Sequence, residues 1–496
     1  MERPVTYEFK SDPFKHQREI FEMSRDLASY GILWEQGCGK TKPAIDTAAY
    51  LYEKGEIDAV IIVAPGGVHR NWLSDELPKH LPDRVARVSK AHVWNTAKAG
   101  NVGVKREQEA LLRHKGLAWL MLSYDGAVTE RGKKYLWKFL RQRRCLYVLD
   151  EAHNIKSPSA QRTKAIVASG KYAPYRRLLT GTPVAQGPFD LYSQLKFLDD
   201  SFWKQHGLDS YRVFKFHFAD WFTRTECQEL HGYDPGYDKL VNYKNLEELK
   251  QILASVSSRV TKDEVLDLPP KLYSTRYFEL SSQQADLYRR LRDEFEAELE
   301  SGARIDGALA IVRLLRLQQI ISGYAATDDE EEPIQLIGNR NPLMEQVEDV
   351  CDGLSHPAII WCRFTKDIDQ VMDRLGSAAV RYDGTMNDDE CERSKNAFQA
   401  GDAQWFVGNP AKGKEGLTLI QARTVMYPTN SFKLIDRLQS EDRAHRIGQE
   451  HPVDYIDFEG RLPDGSPTVA RHIINSLRRK FDIAGKITGD ELREWL

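Results

Sequence analysis

The sequence predicts an α/β protein of two lobes, each a parallel sheet covered by helices on both faces. Three observations carry that expectation. Short apolar, β-rich runs recur in two series, each run ending in a polar or Gly-rich tail. The stretches between the runs carry apolar residues at helical spacing. And 496 residues are more than one ordinary hydrophobic core accommodates. Strands buried on both faces read as continuous apolar runs, and parallel neighbours need a crossover between them, usually a helix.

The first series reads AVIIVAP (59–65), LAWLMLSYD (117–125), CLYVLDEAH (145–153) and RRLLTGTP (176–183). The second reads AIIWCRF (358–364), QWFVGNP (404–410), RTVMYPTN (423–430) and VDYIDF (453–458). KDIDQVMDRL and DDECERSKNAFQ between them are helix-patterned. Two series give two lobes, 1–260 and 261–496, with helical insertions at about 200–260 and about 281–326. In the latter, LSSQQADLYRRLRDEFEAELE opens on a Ser cap signal. DLPPK (267–271) reads as a linker between lobes, and TDDEEEP (327–333) as a solvated acidic loop. In such folds ligands bind beyond the carboxyl ends of the strands, where the unusual tails lie.

A 41% hydrophobic and 10% aromatic content is that of a globular chain rather than a disordered one. The net charge of −3 advertises no global basic field, although a nucleic-acid groove needs only a local stripe of Lys and Arg. Cys38, Cys145, Cys227, Cys351, Cys362 and Cys391 are scattered, without a CxxC pair, which speaks against structural zinc and for a reducing compartment. MERPVTYEFKSDPFKHQ lacks the apolar core of a secretory signal, and no apolar run reaches membrane-spanning length. The expectation is an intracellular protein, cytoplasmic or nuclear according to source, without a membrane partner.

WEQGCGKT (34–41) places Gly37, Cys38, Gly39, Lys40 and Thr41 together. Glycines let backbone N–H groups curl around phosphate oxygens, Lys40 can reach terminal phosphates, and Thr41 can ligate Mg2+. Trp34 stands where the full phosphate-loop pattern has Gly, so the bland alternative is a Gly-rich turn. LDEAH (149–153) lies at a strand end, where Asp150 can hold Mg2+ and Glu151 can orient or deprotonate water. The competing reading is an ordinary helix start. In QSEDRAHRIGQ (439–449), Gln439, Arg443 and Arg446 fall on one face if the segment is helical, at about 100° per residue. A solvated face paired with Glu441 and Asp442 is the plain reading; two arginines aimed at a developing phosphoryl charge is the functional one. RGKKYLWKFLRQRR (131–144) reads either as a DNA-facing patch or as an amphipathic helix buried on Leu136, Trp137, Phe139 and Leu140.

Taken together, these segments resemble the Swi/Snf-type branch of superfamily-two helicases, with its motifs in order over nearly the whole chain. FKHQ (14–17) is similar to the Gln motif, WEQGCGKT to motif I, VAPGGVHRNW (63–72) to motif Ia and SYD (123–125) to motif Ib. DEAHNIKSPSAQRTKA (150–165) resembles motif II with its extended tail, LTGTP (179–183) motif III, and VTKDEVLDLPPK (260–271) the joining segment. AIIWCRFTKDID, GKEGLTL (413–419) and QSEDRAHRIGQ are like motifs IV, V and VI, and RHIINSLRRKF (471–481) is like a C-terminal brace helix. The chain departs from the pattern at Trp34, Gln36, Lys414 and Glu415, and Asn430-Ser431-Phe432 stands where the family carries Trp-Asn-Pro. It looks closer to compact phage or bacterial members than to multidomain remodellers.

The resemblance implies two RecA-like lobes and an ATP-driven double-stranded DNA translocase. It implies ATP and Mg2+ held by Gln17, Gly37, Cys38, Gly39, Lys40, Thr41 and Asp150, with Glu151 and Gln439 at the attacking water and Arg443 and Arg446 as arginine fingers. It implies DNA contacts at His69, Arg70, Asn71, Ser123, Tyr124, Gly416 and Thr418, while Trp72 reads as core. Rival expectations are a strand-separating or annealing helicase on DNA or RNA, a nucleotide-gated remodeller that displaces a bound protein partner, and a scaffold with a dead ATP site.

Overall fold

A computed structural model describes residues 7–231, 238–300, 307–326, 334–413 and 417–490. The acidic loop expected at 327–333, together with Lys414, Glu415 and Gly416, lies outside the described residues. The chain forms two compact units. The first comprises residues up to Ala219, Tyr243–Asp267 and the stretch beginning at Ile483; the second comprises Asp220–Asn242 and Leu268–Asp482.

The first unit is built on a seven-stranded parallel sheet. Its strands are β1 (Ser29–Ile32), β2 (Ala59–Ala64), β3 (Ser89–Val93), β4 (Leu117–Ser123), β5 (Cys145–Asp150), β6 (Tyr175–Leu179) and the two-residue β9 (Ser257–Ser258), in the order β3-β4-β2-β5-β6-β1-β9. A separate two-stranded sheet, β7 (Ala219–Phe222) with β8 (Lys239–Tyr243), falls almost wholly in the second unit. The continuous apolar runs divide by parity, as a strand's two-residue repeat requires. Ala59, Ile61 and Val63 join Leu120, Leu122, Tyr147 and Leu149 in one core; Val60, Ile62 and Ala64 join Trp119, Met121, Leu146 and Val148 in the other. Both faces are therefore covered, and the central strands β2 and β5 are wholly buried.

The second unit carries a six-stranded parallel sheet of β10 (Lys271–Glu279), β13 (Ala358–Trp361), β14 (Ala379–Tyr382), β15 (Trp405–Gly408), β16 (Thr424–Tyr427) and β17 (Val453–Arg461), ordered β10-β17-β16-β13-β15-β14. An antiparallel ribbon, β11 (Tyr324–Ala326) with β12 (Ile334–Leu336), follows its helical insertion. Helices Ser282–Glu300 and Gly307–Ile321 make up that insertion, and the Ser cap is real: Ser281 Oγ accepts from Gln284 N at 3.3 Å. Helix Glu130–Gln142 settles the basic stretch as amphipathic. Tyr135, Leu136, Phe139 and Leu140 are buried, whereas Trp137 is only half-buried, against Tyr172.

One buried acid in the second unit sets a pH dependence. Asp367, on helix Thr365–Leu375, is fully buried and accepts from Thr429 Oγ1 at 2.7 Å. Burial pushes its carboxyl up to about 6 from 3.8. Because the folded value lies above the unfolded one, the stability Asp367 contributes is complete below 3.8 and is lost as pH rises through 6. At about 1.36 kcal/mol per pH unit that loss approaches 3 kcal/mol. Urea unfolding at pH 5 and pH 8 is expected to show a stability drop that Asp367→Asn flattens; equal slopes in the two proteins would refute the assignment.

Candidate active site

The phosphate-loop segment leaves β1 and ends in helix Thr41–Glu53. Gly37 and Gly39 have φ of 87° and 76°, left-handed values that a side chain makes costly. A Cβ on Gly39 would lie 2.2 Å from Gln17 Nε2. Successive backbone N–H groups in such a loop form an anion-binding concavity at a helix N-terminus. Lys40 is 9% exposed, and its ammonium donates to Trp34 O at 3.0 Å and Glu35 O at 3.2 Å, so a phosphate would compete for it with two carbonyls. Cys38 is buried and its thiol is pushed up to about 11 by burial, which keeps it neutral at physiological pH. Gln17 braces the loop: Nε2 donates to Gly39 O at 3.0 Å and Oε1 accepts from Phe14 N at 2.9 Å. Each end of that amide keeps one further hydrogen-bonding valence.

Asp150 and Glu151 stand at the carboxyl end of β5. Asp150 is 8% exposed; Oδ2 accepts from Trp72 Nε1 at 2.9 Å and Oδ1 from Glu151 N at 3.0 Å. Burial and then the neighbouring Glu151 raise its pKa, against the Trp72 bond and the Lys40 charge. Glu151 occupies the left-handed region, φ 51° and ψ 55°, at a cost of roughly 1–3 kcal/mol for a non-Gly residue. Its Oε1 accepts from Gln36 Nε2 at 3.1 Å, and His153 Nδ1 lies 3.3 Å from Oε2. That His153 nitrogen also lies 3.2 Å from Thr180 Oγ1 and 3.3 Å from Thr182 Oγ1, joining the TGT of motif III to the acid pair. A buried carboxylate with a raised pKa beside a second carboxylate is the kind of group whose charge a divalent cation relieves.

Arg259 closes one wall of this unit. It donates to Asp490 Oδ1 at 2.8 Å and Oδ2 at 2.7 Å, to Gly181 O at 3.1 Å and to Leu33 O. A buried guanidinium thereby ties the strand end before the phosphate loop to motif III and to the C-terminal segment. Neither Arg259 nor Gln36 stands out by composition. Gln36 could be found only as a departure from the family pattern, and Arg259 had no sequence signal.

The second unit corrects the helical reading of motif VI. The helix is Leu434–Glu441, and Arg443 and Arg446 follow it in turns, so helical spacing does not bring them together. They converge by another route. Arg443 Nε donates to Gln439 O at 2.9 Å, and both guanidinium groups reach Leu417 O, Arg443 at 3.2 Å and Arg446 at 2.9 Å. Arg446 also donates to Thr418 Oγ1 at 2.9 Å, and burial lowers its pKa. Gln439 is 5% exposed, and its side-chain oxygen has no hydrogen-bond partner among the described residues. Glu441 is not a surface partner of these arginines. It is fully buried and paired with Lys271 at 3.0 Å and Arg437 at 2.7 Å.

The nucleic-acid candidates divide. Arg70 and Asn71 are exposed and Ser123 is half-buried at the cap of helix Tyr124–Val128. His69 is 5% exposed, with its pKa lowered by burial, and Tyr124 is 2% exposed, its hydroxyl donating to Asp150 O at 2.9 Å. Both side chains are buried in the protein. Thr418 has its hydroxyl engaged by Arg446, and Gly416 lies outside the described residues. Trp72 is core, 1% exposed, as expected.

The SNF2-related domain profile matches residues 16–322, and the helicase conserved C-terminal domain profile matches residues 343–448. Nuclear protein STH1/NPS1 of Saccharomyces cerevisiae is 25% identical over 477 residues, covering 91% of this chain and 33% of that protein. The SWI/SNF-related matrix-associated actin-dependent regulator of chromatin subfamily A member 1 of Mus musculus is 26% identical over 446 residues, 84% of this chain and 38% of that protein. The chain thus spans about a third of the length of the curated relatives it matches. Among solved structures, the Sulfolobus solfataricus SWI2/SNF2 ATPase core in complex with dsDNA is similar at 21% identity and a TM-score of 0.40, covering 92% of this chain and 89% of that one. No helix among the described residues is long and apolar enough to cross a membrane.

Proposed function

The chain belongs to the SNF2-related family, and we propose on that footing that it is an ATP-driven motor that moves along duplex DNA. The observation that carries this reading is the acid pair of the first unit, with the strained Glu151 bonded by Gln36 and close to His153, beside a phosphate loop whose lysine is buried. A left-handed glutamate is retained only where its surroundings over-determine it, which supports a working site at this helix start.

In this reading the loop amides and Lys40 bind the phosphates of ATP, and Thr41 and Asp150 hold Mg2+, which neutralises phosphate charge when bound. Glu151 orients the attacking water and accepts its proton, while Gln36 keeps the carboxylate aimed. Gln439, whose carboxamide oxygen has no hydrogen-bond partner among the described residues, is a candidate to orient water. Arg443 and Arg446, carried by the second unit, neutralise charge that develops on the transferring phosphoryl group; each must first leave the Leu417 carbonyl. Arg70, Asn71 and Ser123 are the accessible candidates for backbone phosphates of DNA, consistent with positioning contacts rather than base reading. A dead scaffold fits poorly with an intact set of Lys40, Asp150, Glu151, Arg443 and Arg446.

ATPase rates with duplex DNA, single-stranded DNA and RNA test the proposal. Strongest stimulation by duplex is expected. Preference for RNA or for single strands would favour the strand-separating or annealing alternative instead.

A further inference from the structure

Two buried side chains reach the acid pair from the two segments assigned to DNA. Trp72 follows the exposed Arg70 and Asn71, and its indole N–H donates to Asp150 Oδ2 at 2.9 Å. Tyr124 follows Ser123, and its hydroxyl donates to Asp150 O at 2.9 Å. That carbonyl belongs to the peptide that enters Glu151, the residue with φ 51°. One donor therefore fixes the carboxylate of Asp150, and the other fixes the peptide that must stay turned for Glu151 to remain left-handed.

The backbone at Trp72 is irregular in a way that matches such a role. Residues Val68–Asn71 form an α turn, Trp72–Glu76 a π turn, and Leu77–His80 a further α turn. The widened turn opens on the residue whose side chain holds Asp150, and π turns inside helices gather at functional sites. Tyr124 is likewise placed by its helix start: Ser123 caps helix Tyr124–Val128 by accepting from Gly126 N at 3.0 Å. A phosphate bound to Ser123 or to Arg70 and Asn71 would act on residues adjacent in the chain to the two donors. Both donors are nearly sealed from solvent, 1% exposed for Trp72 and 2% for Tyr124, so water does not substitute for either bond.

We infer that Trp72 and Tyr124 are positioning residues that transmit contact with duplex phosphates to the geometry of the Asp150–Glu151 pair. DNA then stimulates hydrolysis by tightening two existing hydrogen bonds rather than by supplying a new group. The inference rests on the proposed function, since it presumes duplex-stimulated hydrolysis.

The test uses Trp72→Phe and Tyr124→Phe in the full chain, each keeping an aromatic ring in the core and deleting only the donor. Three quantities are read: turnover without DNA, turnover at saturating duplex, and duplex affinity by fluorescence anisotropy. In each variant the ratio of stimulated to unstimulated turnover is expected to fall about tenfold, the effect typical of partners that orient a metal-binding carboxylate. Duplex affinity and the KM for ATP are expected to stay within about twofold, since phosphates and nucleotide are held by other residues. A purely structural role lowers both rates together and leaves the ratio intact, and that result overturns the inference. Should Trp72→Phe unfold, Tyr124→Phe carries the same test with a smaller change in volume. Wild-type hydrolysis indifferent to duplex overturns the proposed function and the relay with it; a stimulated wild type with equally stimulated variants overturns the relay alone.

Discussion

Glu151→Gln is expected to lower steady-state ATP turnover by about a thousandfold, within the range that a positioned general base contributes. ATP binding is expected to survive, because the loop amides, Lys40 and Asp150 are untouched. The amide of Gln is isosteric with the carboxylate but takes no proton from water. It can still accept from Gln36 Nε2, which now lies 3.1 Å from the Glu151 carboxylate, so the local structure should hold. Single-turnover hydrolysis and equilibrium binding of a fluorescent ATP analogue separate the two effects. Turnover within tenfold of wild type would show that another residue activates the water. The strained backbone makes a second comparison informative: Glu151→Gly removes carboxylate and strain together, and should be as inactive as Glu151→Gln although the left-handed conformation is then free of penalty.

Arg446→Ala should reduce kcat by about three orders of magnitude, the lower end of what an arginine finger supplies. The KM for ATP is expected to change by less than about fivefold, because an interaction made mainly in the transition state affects kcat rather than ground-state binding. Arg446 at rest is bonded to Leu417 O and Thr418 Oγ1, so its removal also frees the motif V turn. Thr418→Val controls for that, since it deletes one of the two resting partners and spares the guanidinium. If Thr418→Val and Arg446→Ala lose the same activity, the turn and not the charge is responsible. Near-normal hydrolysis by Arg446→Ala in the presence of duplex DNA would refute the finger assignment.

The sequence showed the buried middle of each sheet and missed the rims. Every run in the two apolar series lies on a strand, because central strands of a parallel sheet are apolar on both faces. Among the strands of the two large sheets without such a signature, β3 (SKAHV), β10 (KLYSTRYFE) and β14 (AVRY) lie at sheet edges, where one side meets solvent and polar residues are tolerated. The short β1 (SYGI) escapes for a different reason: four residues including a glycine carry too little pattern. The local geometry of the candidate site was legible where a residue type recurs at fixed spacing, as at Gly37, Gly39, Lys40, Thr41, Asp150 and Glu151. It was illegible where long-range packing decides. Helical periodicity wrongly continued the motif VI helix past Glu441, although a shared carbonyl gathers the same arginines. Exposure of His69 and Tyr124 could not be read locally, because the groups that bury them come from elsewhere in the fold. Trp72 read correctly as core, yet its bond to Asp150, 78 residues away, has no local signature.

The central claim, that ATP hydrolysis drives movement along a duplex gripped by its phosphates, is tested most directly by duplex-dependent ATPase measured over a salt series. Releasing counterions from several phosphates makes the apparent duplex affinity fall as a power of salt concentration, with a slope of about −0.9 per phosphate contacted. The account predicts that the duplex concentration for half-stimulation rises at least about a hundredfold between 50 and 200 mM salt, while turnover at saturating duplex changes little. Hydrolysis at full rate without DNA, or stimulation indifferent to salt, would contradict it.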